Sequence, residues 1–145
     1  MAELLAEQEG GYREIGRFLF EFSQLEFTIR VQLAGLLKLP EDNFDIVTSP
    51  YDFAMLCTVT QALALKHRPE NAEVIREVFS SCRALNDRRV HVAHGLWTLG
   101  GEGLVVRHVS RASLHPKFHF ERVGDLRRLA DEAQRLIGRM FEIVK

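Results

Sequence analysis

The chain has 145 residues, 46% of them apolar and 27% charged, with a formal net charge of −1. That suits a single domain over residues 1–145 with one core, and it excludes disordered, collagen-like and membrane-spanning compositions. No apolar run approaches the roughly 18 residues of a transmembrane helix, and the acidic start from Met1 to Gly10 lacks the basic-then-apolar order of a signal peptide. A cytoplasmic protein with no membrane contact is expected. Two cysteines, Cys57 and Cys82, both in apolar-patterned stretches, predict buried free thiols and no disulfide framework.

From about Tyr12 to Lys38, Ile15, Phe18, Leu19, Phe22, Leu25, Ile29, Leu33 and Leu36 recur at spacings of three and four, which predicts an amphipathic helix. Pro40 closes it, and a polar connection from Glu41 to Thr48 follows with Phe44 and Ile46 turned inward. Ser49 is the expected N-cap of a second helix, with Pro50 in its first position, running to about Leu65. Pro69 opens a third, in which Val74, Ile75, Val78, Phe79, Cys82 and Leu85 keep helical spacing as far as His94 and Gly95. Trp97, Leu99, Leu104, Val105, Val106 and Val109 then flank the run Gly100 to Gly103, which reads as a β-hairpin. A last helix from about Glu121 carries Val123, Leu126, Leu129, Ala130, Ala133, Leu136, Ile137, Met140 and Phe141. The fold class is mainly all-α: a roughly antiparallel four-helix bundle with a β-hairpin inserted before the last helix.

The small net charge hides an asymmetry. Residues 1–82 hold 7 basic against 13 acidic side chains, and residues 83–145 hold 12 against 7. Five of the six histidines lie between His91 and His119. An anionic partner would therefore meet the second half. Within it, following Val78, Cys82 and Leu85 by one more step of four lands on Arg89, an arginine where a core residue belongs. A buried guanidinium needs a partner. Glu26, at the edge of the first helix's apolar stripe, is the candidate. His94 sits at the helix end beside Gly95, about 140° around a regular helix from Arg89, so a joint site needs the helix to end there or a second copy of the chain. Arg88, His91 and His94 are spaced three apart on one face.

The stretch Arg89-Val90-His91-Val92-Ala93-His94-Gly95 resembles the Arg-x4-6-His motif of HEPN domains, small helical bundles whose active members are metal-independent ribonucleases. The helix order and the position of the motif late in the third helix are similar too, so the resemblance covers most of the chain. HEPN motifs usually have a polar residue after the arginine, where Val90 follows Arg89 here, and Arg88 is the alternative motif arginine.

The resemblance implies RNA cleavage at a homodimer cleft, with no cofactor and no metal, in a toxin or phage-defence setting with a cognate antitoxin. The chemistry agrees with the residue types. Attack by the RNA's own 2′-hydroxyl needs a proton-transfer group and a fixed cation at the phosphate. Histidine and arginine supply these. On this reading His94 and Arg89 are catalytic, His91 and Glu26 support them, and Arg83 and Arg88 bind backbone phosphates. The alternative is a non-catalytic HEPN-like dimer that binds RNA, nucleotide or protein. His91-x2-His94 and His115-x3-His119 match no recognised metal pattern, and the glycines near 100 lack the Lys-Ser/Thr of a P-loop. Phe20 and Phe27 lie opposite Phe18 and Phe22 on the first helix, a second apolar surface that predicts the homodimer interface.

Overall fold

A computed structural model describes residues 1–100, 103–109, 116–119 and 124–143. The loop positions Gly101 and Glu102, His115, and the expected helix start at Glu121 and Val123 lie outside them. The described chain is mostly helical. Helix α1 spans Ala2–Leu37, α2 Phe44–Thr48, α3 Phe53–His67, α4 Ala72–His94 and α5 Asp125–Glu142. Between α4 and α5, β1 (Leu96–Gly100) pairs antiparallel with β2 (Gly103–Val109), and β2 with β3 (Pro116–His119), in the order β1-β2-β3. Among the described residues no helix is long and apolar enough to cross a membrane.

Two helix starts and one side-chain placement differ from those expected. Helix α1 begins ten residues before Tyr12, because Ala2 to Glu9 are strong helix formers that need no apolar face to stay helical. It ends in a Schellman turn: Lys38 takes the left-handed conformation (φ 51°), its N–H donates to Gly35 O, and the Leu39 N–H donates to Ala34 O. Helix α3 is capped by Asp52 instead of Ser49. The Asp52 carboxylate accepts the Met55 N–H at 2.8 Å from an extended backbone, so Pro50 falls in the preceding turn. In the connection, Phe44 packs edge-on against Phe27 at 5.9 Å, whereas Ile46 is 73% exposed and does not turn inward.

The core is the predicted apolar stripes brought together. Phe18, Phe22, Leu25, Ile29 and Leu33 of α1 meet Leu56, Cys57 and Ala64 of α3, Ile75, Val78, Phe79, Cys82 and Leu85 of α4, and Leu126, Ala130, Ala133, Leu136 and Met140 of α5. Leu19 lies at the stripe's exposed margin.

The bundle is not the expected antiparallel one. Phe22 stacks on Phe53 at 4.6 Å, and at the far end Leu36 and His67 line one cleft, so α1 and α3 run parallel. Helix α5 is parallel to both: Arg17 bonds Asp131 at 2.8 Å, and Gln134 donates to Glu21 at 2.9 Å. Of the four long helices only α4 runs the other way, its start beside the end of α5 through Asn71 to Ile143 O (3.4 Å) and Arg139 to Glu77 (3.9 Å). The cause is the connection of residues 38–52, which returns along α1 before α3 starts. Arg30 of α1 pins that return. Its guanidinium donates to Thr48 O and, at 3.0 Å, to Tyr51 O, while Glu26 takes it at 3.4 Å.

Candidate functional site

The arrangement of helices gathers the C-terminal end of α4, the N-terminal end of α5 and residues 13–22 of α1 at one end of the bundle. Helix α4 stays regular through His94, where the Gly95 N–H donates to His91 O at 2.9 Å and the Trp97 indole N–H donates to Val92 O at 2.9 Å. Those two bonds satisfy carbonyls that a helix end otherwise leaves free. Gly95 has φ −76° and an extended backbone, so the helix stops without a left-handed residue.

Arg89 is half-buried and its partners are not those expected. Its Nε donates to Asn86 Oδ1 at 3.1 Å, and its guanidinium lies over the Phe22 ring at 5.2 Å from the centroid. A cation over an aromatic face accommodates a core-side guanidinium without a carboxylate. Glu26 pairs with Arg30, one turn along its own helix, and among the described residues makes no bond to Arg89. His94 is exposed, His91 half-buried and Arg88 exposed. Because α4 is uninterrupted, Arg89 and His94 stay about 140° apart and one chain does not bring them to a common point.

Arg83 lies about 16 Å up the helix axis from His94. It is half-buried, with its charge close enough to Cys57 and Cys82 to act on both thiols. Burial pushes the Cys57 thiol up to about 12, against the Arg83 charge, and Glu26 adds to the rise. Burial also raises Cys82, helped by Cys57 and opposed by Arg83. Both thiols are free and buried, as the sequence predicts. Protonated and buried, they offer no nucleophile. Iodoacetamide at about pH 8 should leave both unlabelled in the folded protein and label both in concentrated guanidinium, read by intact mass. A raised folded-state value also means that the thiol's contribution to stability is complete below the unfolded value of about 8.5. It is lost as pH climbs toward 12.

Sequence reasoning missed a second basic feature at this end. Arg13, Glu14 and Arg17 of α1 and Arg127 and Ala130 of α5 line a groove of about 180 Å³. Arg17 is engaged by Asp131. Arg13 and Arg127 have no ion pair among the described residues. The one-turn spacing of Arg13 and Arg17 was visible, but nothing local announces that Arg127 joins them. On the outer face of α1, Phe20 is 61% and Phe27 54% exposed. No cluster of three or more metal-ligating side chains occurs among the described residues.

The chain matches no protein-family model, no curated protein and no solved structure.

Proposed function

We propose that the chain is a metal-independent endoribonuclease of HEPN type, acting in the cytoplasm as a homodimer whose composite sites take an arginine from one copy and His94 from the other. The observation that carries this reading is the placement of an exposed His94 and a half-buried Arg89 on different faces of the C-terminal end of α4, at the same end of the bundle as the Arg13, Arg17 and Arg127 groove. The exposed Phe20 and Phe27 are the apolar surface for the second copy. In the reaction the RNA 2′-oxygen attacks the adjacent phosphorus, and the bond from phosphorus to the 5′-oxygen breaks. His94 moves the proton between these oxygens, and an arginine fork holds the developing phosphate charge. The products are a 2′,3′-cyclic phosphate and a 5′-hydroxyl. Such an activity suits a toxin or phage-defence component restrained by a cognate antitoxin.

A second reading, a non-catalytic HEPN-like dimer that binds RNA or nucleotide, is favoured by one observation: Arg89 is already engaged by Asn86 and Phe22. Incubation of the protein with a pool of single-stranded RNA and tRNA in EDTA separates the two. On the first reading the wild type cuts to cyclic-phosphate ends, and His94→Ala lowers the rate by at least about 100-fold with the melting temperature unchanged. An uncut pool, or equal cutting by His94→Ala, leaves the second reading.

A further inference from the structure

Helix α4 runs unbroken for 23 residues, so positions seven and eleven apart return to nearly the same face. Arg76, Arg83 and His94 therefore fall within about 20° of one line along it, about 27 Å from first to last at 1.5 Å per residue. Arg76 and His94 are exposed and Arg83 is half-buried. The line follows the edge where α4 meets α3, since the Arg83 charge reaches Cys57 of that helix. Across this edge α3 offers no carboxylate: Phe53–His67 contains neither Asp nor Glu. On α4 itself, Asp87 is the one carboxylate within about 40° of the line.

Cations on a helix surface are ordinarily matched by their neighbours. On α5, Arg128, Arg135 and Arg139 each pair with a carboxylate three residues away. Arg76 and Arg83 have the same opportunity in Glu73 and Asp87, one helical turn off, and neither makes a hydrogen bond or an ion pair among the described residues. The helix dipole does not place them either. It favours His91 and His94 at the end of α4, whereas Arg76 and Arg83 stand about one and three turns from its start. A half-buried guanidinium without a partner keeps its donors for an acceptor from outside the chain.

We propose that, on the RNA reading above in either its cutting or its binding form, this edge of α4 is the track of a single-stranded RNA, which runs from His94 along the helix with one backbone phosphate at Arg83 and a later one at Arg76. A single row of cations on a straight helix suits the single row of phosphates of one strand, and contacts of this kind position the strand without reading its bases. A strand stacked at about 3.4 Å per nucleotide needs about eight nucleotides to cover that length. Asp87 weakens the track at one point.

The probe is a labelled 2′-O-methyl RNA of about ten nucleotides, long enough to cover the track and uncuttable because it lacks the attacking hydroxyl. Its binding to the full chain is followed by fluorescence anisotropy across a salt series. Each phosphate contact on a single strand contributes about 0.7 to the slope of log affinity against log salt. Arg76→Gln and Arg83→Gln should therefore each flatten the slope by about 0.7, and the double variant by about 1.4. Arg83→Lys, which keeps the charge, should keep the slope, so that a loss in Arg83→Gln is not one of packing. Arg135→Gln on α5 should leave the slope as it is, and Asp87→Asn should tighten binding about threefold. Absence of saturable binding, or slopes that neither arginine substitution changes, overturns the proposal. So does a loss confined to one of the two arginines, because a single contact is not a track. The expected slopes in a protein that does not cut uphold the track and remove only the ribonuclease reading, whereas His94-dependent cutting with unchanged slopes removes only the track.

Discussion

Arg30→Met should lower the unfolding free energy by about 3 kcal/mol, seen as a lower urea midpoint at unchanged slope. The guanidinium is mostly buried, and it ties α1 to the returning connection by hydrogen bonds to Thr48 O and Tyr51 O. Methionine preserves the stem and removes the donors. Two carbonyls then lose charged partners, each bond of this kind contributing about 1.5–3 kcal/mol. Arg30→Lys should fall between, since an ammonium on a single stem cannot serve both acceptors with the same fork geometry. Glu26→Gln should change stability by less than about 1 kcal/mol, because that pair is partly solvated and 3.4 Å long. An Arg30→Met midpoint within about 0.5 kcal/mol of the wild type would show that the return path holds itself in place.

The second large effect is a recovery of activity. If the proposed site is composite, Arg89→Ala and His94→Ala dimers are each inactive, yet mixing the two after unfolding and refolding together should restore about a quarter of wild-type cleavage. Half of the randomly paired dimers hold one copy of each variant, and in those one of the two sites keeps both its arginine and its histidine. The expectation comes from the uninterrupted α4, which separates Arg89 and His94 by about 140° within one chain. A site built inside a single copy yields no recovery, because every copy then lacks one group. Repeating the mixture with Arg88→Ala in place of Arg89→Ala decides which arginine meets the phosphate. Arg89→Ala should in addition lower the melting temperature, since Arg89 covers Phe22, whereas the solvent-facing Arg88 should not.

What could be read from the sequence follows from the range of the interactions involved. The apolar stripes of α1, α4 and α5 and the end of α4 at His94 depend on residues three and four apart, and they stand where periodicity places them. The misplaced Arg89 was visible for the same reason. Its partner was not, because a carboxylate was the obvious candidate and an aromatic face, Phe22, took its place. The direction of α3 was hidden as well. It rests on Arg30 reaching carbonyls 18 and 21 positions away, and every residue has a carbonyl, so no side chain marks the acceptors. The Arg13, Arg17 and Arg127 groove joins positions more than 100 apart, beyond any local pattern.

The parallel seam between α1 and α5 has a consequence for the order in which the molecule is made. Arg17 and Glu21 find their partners 114 and 113 positions later. A ribosome adding about 5–20 residues per second leaves that flank of α1 uncovered for about 5 to 20 s after it emerges. Helices α3 and α4 can close over Phe22, Leu25 and Ile29 in the meantime, but the side that receives Ala130, Ala133 and Leu136 stays open. During vectorial synthesis the nascent chain therefore presents an apolar strip along its first helix, a surface for chaperone holding and for premature pairing between neighbouring nascent chains, until α5 has left the exit tunnel.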